Sequence, residues 1–293
     1  MYDIKALYQA ASVADAVALR LAHPSAQIIA GGSDVLVQMR EGRRAGAELI
    51  SIHGLRELQG VSLDGDGTLR IGSLTTFSQI TRDPLIQTHV NVLGEAVDQV
   101  GGPQIRNIGT IGGNTCNGVT SADSASTLFA YDAVIELTGP EGVRRQPIQD
   151  FYIHAGKVDL REGELQTAIL IPRESYENTF GHYIKYAMRS AMDIATLGTS
   201  VNVRLSPDKR TVERARAAFG VAGPVPLRAV CAEALAAGQP VSPDLAQRFA
   251  QAVKEDIHPR DSWRAAKDFR LHIAVECAKR AFLEAVKLAG GAL

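Results

Sequence analysis

At 293 residues the chain is long enough for two domains and a substantial core. Apolar residues make up 45%, charged residues 22%, and the formal net charge is -1, which argues against a disordered chain and against nucleic-acid binding. No stretch approaches the roughly 18 apolar residues of a membrane span, and the start MYDIKALYQAASVADAV lacks the pattern of a secretion signal. We expect a globular, cytoplasmic protein with neither a nucleic acid nor a membrane as partner.

The cysteines and histidines make a metal site improbable. Cys116, Cys231 and Cys277 are scattered singly and form no CxxC pair, so neither a disulfide framework nor an iron–sulfur cluster is expected in this chain. The seven histidines include no HExxH string and no pair at helical ligand spacing. We therefore expect that this chain binds no metal itself.

The first predicted elements lead to a pair of glycines. An apolar stripe predicts a helix that begins after Ser12 and runs to about Ala22. Residues 27–30, QIIA, then predict a short buried strand, and the two glycines that follow predict a tight turn. Ser33 or Asp34 is the expected cap of the next helix.

Further strands and helices follow up to Pro172, which closes the first half. The predicted elements are strands at residues 48–52, 133–137 and 165–171, a hairpin in VSLDGDGTLRIGS, and helices at residues 75–80 and 92–100. The turn TGPEG is expected to separate the last two strands.

The second half reads as strands followed by helices. FGHYIKYAMRSA and two apolar runs around Val201 and Phe219 predict strands, and the chain turns helical from about Arg228, ending in a helix over residues 267–287. We therefore predict an α+β protein with a first domain of residues 1–175 and a second of residues 176–293.

Residues 103–123, PQIRNIGTIGGNTCNGVTSAD, are too rich in glycine for a regular element. Successive backbone N–H groups in such turns converge on anions, which indicates a cradle for a pyrophosphate. The alternative is a long surface loop whose glycines only shape turns. Ile105, Ile108 and Ile111, spaced by three, indicate a loop pinned onto the core, and Cys116 is interpreted as a small buried side chain.

The shorter segment IIAGGSDV is a second candidate for phosphate binding. It has two glycines followed by a helix start, and helix starts attract phosphate oxygens. An ordinary strand-to-helix connection, with Asp34 only as a cap, is the alternative. The chain contains no GxGxxG, GxxxxGK or GxSxG string. These absences exclude a Rossmann dinucleotide site, a P-loop and a nucleophile elbow.

Four segments together carry a family resemblance that covers essentially the whole chain. QIIAGGSDVLVQM, IGSLTTFSQI, GPQIRNIGTIGGNTCNGVTSAD and FGHYIKYAMRSAMDIATLG resemble, in order and spacing, the FAD-binding subunits of molybdenum hydroxylases, and most of all those of bacterial xanthine dehydrogenases. The resemblance implies an FAD-binding PCMH-type, vanillyl-alcohol oxidase-like N-terminal domain. A smaller α+β domain like the C-terminal domain of the CO dehydrogenase flavoprotein would follow it.

The resemblance also implies which residues contact FAD, which would be bound non-covalently. The pyrophosphate and ribityl contacts fall on Gln27, Ile28, Ile29, Ala30, Gly31, Gly32, Ser33, Asp34, Gly109, Thr110, Ile111, Gly112, Gly113 and Asn114. It further implies an acidic contact from Asp123, an apolar contact from Leu165 in the flavin pocket, and a basic contact from Lys185 in the second domain.

The resemblance places the molybdenum cofactor and two 2Fe–2S clusters on partner subunits only, namely a molybdenum-binding large subunit and an iron–sulfur small subunit. In such a xanthine dehydrogenase complex, electrons reach FAD from the clusters and leave to NAD while hypoxanthine and xanthine are oxidised. A flavin subunit of a CO, nicotinate or aldehyde dehydrogenase is the first alternative. A non-redox assembly scaffold is the second.

Overall fold

A computed structural model describes residues 2–292. The strands are β1 (Ile4–Gln9), β2 (Gln27–Ile29), β3 (Ala47–Ser51), β4 (Val61–Leu63), β5 (Leu69–Gly72), β6 (Val134–Gly139), β7 (Gly142–Pro147), β8 (Tyr152–His154), β9 (Lys157–Val158), β10 (Leu165–Ile171), β11 (Phe180–Tyr186), β12 (Leu197–Leu205), β13 (Val212–Gly220) and β14 (Leu227–Arg228).

Helices of very different length connect these strands. They are α1 (Val13–Ala22), α2 (Val35–Arg40), α3 (Phe77–Arg82), α4 (Pro84–His89), α5 (Asn91–Asp98), α6 (Pro103–Ile108), α7 (Ile111–Cys116), α8 (Asp123–Ala130), α9 (Ile148–Phe151), α10 (Arg173–Tyr176), α11 (Val230–Ala236), α12 (Pro243–Ala252) and α13 (Lys267–Leu288). Two 3₁₀ turns occur at Arg56–Leu58 and Val253–Glu255. No helix within residues 2–292 has the length and apolar character needed to cross a membrane.

The chain begins with a small parallel sheet of order β1-β3-β2. Helix α1 connects β1 to β2 and begins as its sequence predicts, because the Ser12 hydroxyl accepts a hydrogen bond from the amide of Asp15 at 3.1 Å. Leu49 and Ile50 of the central strand β3 are fully buried. This sheet holds the turn that follows β2 in a fixed position.

A five-stranded antiparallel sheet of order β4-β5-β10-β6-β7 follows. Its central strand β10, LQTAILI, is buried along its whole length, as expected for a strand covered on both faces. The main core of the first half lies between this sheet and the helices α3, α5 and α8, where Ile80, Leu93 and Leu128 are inaccessible to solvent.

The second half consists of a four-stranded sheet of order β11-β12-β13-β14 with α11, α12 and α13 packed together on it. Strand β12 is buried on both faces: Val201 and Val203 belong to the core under these helices, and Asn202 donates to the carbonyl of Ala130 in α8 at 3.3 Å. Helix α8 belongs to the core of the first half and also packs against the sheet of the second half, which explains how the two halves are joined.

Several predictions about elements are confirmed and others are wrong. Helix α1, the β4–β5 hairpin and the helices of the second half lie where the sequence predicts them, and the α+β organisation is confirmed. The predicted domain division at residue 175 stays a prediction, and α10 crosses it. The TGPEG turn does not lead to β10, because β7, α9, β8 and β9 come between.

The expectation that residues 103–123 form a loop pinned by three isoleucines is wrong. The segment contains α6, α7 and the first residue of α8. Ile105 and Ile108 are 39% and 42% exposed, and only Ile111 is buried. The helices form because Pro103 is well suited to a first helical position and because the Thr110 side chain caps α7 by accepting from the Gly113 amide at 3.1 Å.

Candidate cofactor site

A cavity of about 360 Å³ opens between the parallel sheet and the five-stranded sheet. Most of the residues expected from the sequence to bind a cofactor line it: Gln27, Ile28, Ala30, Gly31, Gly32, Ser33, Asp34, Gly109, Thr110, Gly112, Gly113, Asn114 and Leu165. The fold thus brings together two glycine-rich segments that are about 80 residues apart in the sequence.

The two segments touch at Gly31, in the turn after β2. A Cβ atom placed on Gly31 would lie 1.8 Å from the carbonyl oxygen of Ile108, at the end of α6. No real Cβ approaches an oxygen so closely, so only glycine allows this contact. Gly32 has a φ of +73°, a second reason for glycine in this turn.

The turn presents a run of unpaired backbone donors. Within residues 2–292, the amide N–H groups of residues 31–35 donate to no protein acceptor. Ser33 and Asp34 are exposed, but Gly31, Gly32 and Val35 are half-buried, where amides are normally paired. Successive free amides of this kind form an anion-binding concavity. The first glycine-rich segment therefore provides the donors that a diphosphate requires.

The second segment plays a different part from the one predicted. Three of its amides are already bonded: Gly112 donates to the Ser73 carbonyl at 2.9 Å, Gly113 to the Thr110 hydroxyl at 3.1 Å, and Asn114 to the Thr110 carbonyl at 3.0 Å. The prediction that these N–H groups converge into an anion cradle is wrong for these three amides. Gly112 is needed for packing, because a Cβ there would lie 2.7 Å from the Ser73 carbonyl oxygen.

Two arginines add positive charge to the lining. Arg20 of α1 and Arg44, before β3, both line the cavity. Within the described part of the chain neither lies in a salt bridge, and Arg44 Nη1 donates to the Gln27 side-chain oxygen at 2.7 Å. A bound anion would supply the missing counter-charge. Neither residue could be identified from the sequence, since isolated arginines in a helix and in a loop carry no pattern.

Three buried polar atoms of lining residues have no hydrogen-bond partner within residues 2–292. They are Nε of Arg20, Oγ of Ser73 and the side-chain nitrogen of Gln166. Because buried polar atoms are normally satisfied, these atoms fit a ligand with several polar groups. Ser73 lies within IGSLTTFSQI, one of the segments that carry the resemblance, but Gln166 has no sequence signal.

The remaining lining is apolar and includes Ile28, Leu74, Phe77 and Leu165. A cavity with an anion-binding end and an apolar wall fits a flavin dinucleotide, whose diphosphate is charged and whose ring system is largely apolar. Cys116 also lines it, and burial raises the pKa of the Cys116 thiol to about 12. The thiol therefore stays protonated and is not a nucleophile.

Four of the expected contact residues lie outside the lining: Ile29, Ile111, Asp123 and Lys185. Lys185 Nζ donates to the Asp123 carboxylate at 2.8 Å, and both side chains are 7% exposed. Lys185 also donates to the carbonyl of Gln99, whose neighbour Val100 lines the cavity. The ammonium group is thus placed next to the cavity wall, and its contact with a cofactor stays a prediction.

Comparison with protein-family models assigns both halves of the chain to flavoprotein domains. A family model described as the FAD binding domain in molybdopterin dehydrogenase matches residues 2–174, and one described as the CO dehydrogenase flavoprotein C-terminal domain matches residues 182–285. The xanthine dehydrogenase FAD-binding subunit of Escherichia coli O157:H7 is 43% identical over 293 residues, which is the full length of both chains. The nicotinate dehydrogenase FAD-subunit of Eubacterium barkeri is 33% identical over 73% of each chain.

A solved structure of carbon monoxide dehydrogenase from Hydrogenophaga pseudoflava contains a chain with the same fold. It matches with a TM-score of 0.91 and 30% identity, over 99% of each chain. An FAD-binding domain followed by a flavoprotein C-terminal domain, with a cavity suited to a dinucleotide, defines the class as an FAD-binding oxidoreductase component. The chain belongs to the FAD-binding subunits of the molybdenum hydroxylase family.

Proposed function

We propose that this chain is the FAD-carrying subunit of a xanthine dehydrogenase complex and that FAD binds non-covalently in the cavity with its diphosphate at residues 31–35. The observation that carries the placement is the run of unpaired amides beside Arg20 and Arg44. The full-length identity of 43% to a subunit named for xanthine dehydrogenase supports the choice of complex.

When bound, FAD supplies two-electron exchange, accepting electrons from 2Fe–2S clusters on a partner subunit and reducing NAD. The purine would be hydroxylated with oxygen from water on a molybdenum-binding large subunit, so that each turnover yields NADH and a proton. A cytoplasmic location, predicted from the sequence, is part of the same proposal.

The residues of this chain bind and orient the cofactor. The amides of residues 31–35 hold the phosphate oxygens, and Arg20 and Arg44 neutralise their charge. Ser73 Oγ and the Gln166 side-chain nitrogen reach polar groups of the ligand, and Leu165 packs against the ring. Lys185 and Asp123 complete the set of proposed contacts from the side of the second half.

The cofactor proposal is tested by expressing the chain with its partner subunits and recording the absorption spectrum of the purified complex. We expect a flavin spectrum with about one FAD released per chain on denaturation, as for a single non-covalent site. A purified complex with iron–sulfur absorbance but without releasable flavin would contradict the placement.

The choice of substrate is tested on the same complex by measuring NADH formation. We expect turnover with hypoxanthine and xanthine, and none with nicotinate, carbon monoxide or aldehydes. Nicotinate and carbon monoxide dehydrogenases are the second candidates, because named relatives of this chain at 33% and 30% identity belong to them. If xanthine reduced the flavin but NAD was not reduced, the proposal of xanthine as substrate would stand and the proposal of NAD as acceptor would be wrong.

A further inference from the structure

An exposed apolar patch on the second half has no role in the cavity. We define it as the Trp263 patch, which consists of Tyr186, Met188, Met192, Ile194, Trp263 and Phe269. Trp263 is 81% exposed, Met188 66% and Met192 65%. Large apolar side chains exposed together mark interaction surfaces more often than single ones do.

Two chain segments are held side by side to form the patch. The rings of Tyr186 and Phe269 meet edge to face, with centroids 5.8 Å apart. The base of the loop between β11 and β12 is closed by a hydrogen bond from the Thr196 amide to the Tyr186 carbonyl at 2.7 Å. The buried Arg270 of α13 donates to the Thr196 carbonyl. The patch is thus anchored at its base to β11, β12 and α13.

The patch is continuous with the rim of the cavity. Met192 lies over Gly102, since a Cβ placed on that glycine would be 3.6 Å from the Met192 methyl carbon. Gly102 precedes α6, and its near neighbours Val100 and Ile105 both line the cavity. A protein seated on the patch would therefore stand next to the bound cofactor.

Positive charge surrounds Trp263. The guanidinium of Arg264 lies 4.2 Å from the centre of the Trp263 ring. Arg270 is 2% exposed and donates to neutral oxygens of Thr196 and Ser262. Burial lowers its pKa, and the charges of Arg260 and Arg264 lower it further.

The acidic residues nearby do not cancel this charge. Asp261 is engaged with the start of α13, where its carboxylate accepts from the Lys267 amide at 2.6 Å. Within residues 258–270 there are four cations, Arg260, Arg264, Lys267 and Arg270, and two carboxylates, Asp261 and Asp268. In the described part of the chain none of these four cations is in a salt bridge.

We propose that the Trp263 patch is the docking surface for the protein that delivers electrons to this chain, and that this partner presents an apolar hollow rimmed by carboxylates. The inference rests on the proposed function, which places a cofactor behind the adjoining rim. Tryptophan and arginine side chains contribute a large share of the binding energy at protein interfaces. Opposite charges across an interface fix how the two partners are aligned.

A second copy of this chain is a poorer occupant. In a two-fold dimer each patch would meet its own image, so that the arginines around Trp263 would face arginines of the same sign. An acidic partner removes this repulsion and supplies the counter-charge that Arg260 and Arg264 lack.

The test uses the complex purified through a tag on this chain, with the iron–sulfur protein of the same complex as the probe. We expect Trp263→Ala and Arg264→Glu each to weaken retention of the iron–sulfur protein at least about tenfold. Val143→Ala is the matched control, because Val143 is 62% exposed on β7 of the first half. It should leave retention unchanged.

Flavin content measured on the same samples separates this proposal from the function proposed above. We expect both patch variants to keep their flavin. If Trp263→Ala lost flavin as well as the iron–sulfur protein, the retention of the iron–sulfur protein by Arg264→Glu would decide whether the patch is the docking surface. Retention unchanged in both variants, or a wild-type chain that captures a second copy of itself in place of the iron–sulfur protein, would overturn the docking surface and leave flavin binding intact.

Discussion

Gly31 joins the two glycine-rich segments through a contact that no side chain can replace. We predict that Gly31→Ala lowers the affinity for FAD by at least about tenfold, because a Cβ 1.8 Å from the Ile108 carbonyl must force the segments apart. The ratio of flavin to protein absorbance measures the loss.

Gly65→Ala is the control for this substitution. Gly65 has open space around the position of a Cβ and no positive φ. This variant should keep its flavin and its melting temperature. A Gly31→Ala protein with full flavin content would show that the contact between the segments is not required for binding.

Arg44 tests the charge at the diphosphate end of the cavity. We predict that Arg44→Gln weakens FAD binding roughly tenfold or more, since a hydrogen bond to a charged group contributes about 1.5–3 kcal/mol. Riboflavin, which lacks the diphosphate, should bind equally to the variant and the wild type. Calorimetric titration of the flavin-free protein with both ligands gives the comparison.

The neighbouring Arg43 is the matched control. It is 63% exposed, pairs with Glu41 and does not line the cavity. Arg43→Gln should leave the FAD affinity unchanged. An equal loss in Arg43→Gln would mean that the two arginines act only through the general positive field of the protein.

At the scale of elements, Glu136 of β6 ties several strands of the five-stranded sheet together. Its carboxylate accepts from Arg70 of β5 at 2.7 Å, Arg145 of β7 at 2.8 Å and Thr167 of β10 at 3.1 Å. Burial alone would raise the pKa of Glu136, but the hydrogen bonds from the two arginines outweigh it and lower the pKa to about 2.

This lowered pKa sets a pH dependence of stability. In the unfolded chain the carboxyl titrates at its ordinary 4.5, so the stabilisation is complete above that pH and is lost as the pH falls towards 2. We predict that Glu136→Gln costs about 1–2 kcal/mol at pH 7, after discounting for the solvent around Arg70 and Arg145, and almost nothing near pH 2.

Urea denaturation at a series of pH values measures this difference. Glu177→Gln is the control, because Glu177 pairs with Arg173 on the surface and is 45% exposed. Its cost should be small at every pH. A constant difference between Glu136→Gln and the wild type from pH 7 to pH 2 would contradict the assigned ion pairs.

Elements with strong local signals could be predicted and others could not. Helix α1 has both an apolar stripe and a Ser12 cap. Helix α7, IGGNTC, has a composition that opposes a helix. It forms because distant partners fix its start: the Ile111 amide donates to the Thr75 carbonyl at 3.0 Å, and the Phe77 amide donates to the Gly109 carbonyl at 3.1 Å.

The candidate site, too, could be predicted from the sequence only in part. The glycine-rich segments could be identified from composition, and the resemblance paired them. The amides of Gly112, Gly113 and Asn114 are bonded within the protein, whereas those of residues 31–35 are free in the described part of the chain. This difference depends on which amides Ser73 and Thr110 accept from, which is a property of the packed structure. The arginines of the lining carry no local pattern at all.

At the scale of the whole molecule, Asp123 and Lys185 connect the two halves, from α8 and β11 respectively. We predict that Lys185→Met lowers the free energy of unfolding by about 3 kcal/mol, because it leaves the Asp123 carboxylate buried without a counter-charge. Adding Asp123→Asn should recover most of that loss, since a buried pair replaced by neutral groups is often neutral in stability.

Flavin content of the double variant separates two roles for this pair. We expect the Asp123→Asn, Lys185→Met protein to be stable and still poor in flavin, as proposed for residues that contact the cofactor. Full flavin content in the stable double variant would make the pair a purely structural link between the halves. Thermal unfolding followed by circular dichroism and flavin fluorescence gives both readings.

The way the two halves share a helix could not be predicted from the sequence. No element is predicted for the string DSASTLFA, which forms α8. All of its residues are buried because β12 and β13 cover the face that the first half leaves open. Long-range packing of this kind has no signature in a local window of residues.

The anion-binding end of the cavity is made of main chain, with Gly31 against the Ile108 carbonyl and the amides of residues 31–35 without a protein acceptor within residues 2–292. Exchanging the side chains of Ser33, Asp34 or Val35 leaves such a wall in place, whereas a side chain added at Gly31 disrupts it. An attempt to re-engineer this protein for a flavin without the adenylate half would therefore gain little from substitutions in the glycine turn. The positions open to redesign are Gln27, Arg20 and Arg44, whose side chains line the cavity beside this main-chain wall.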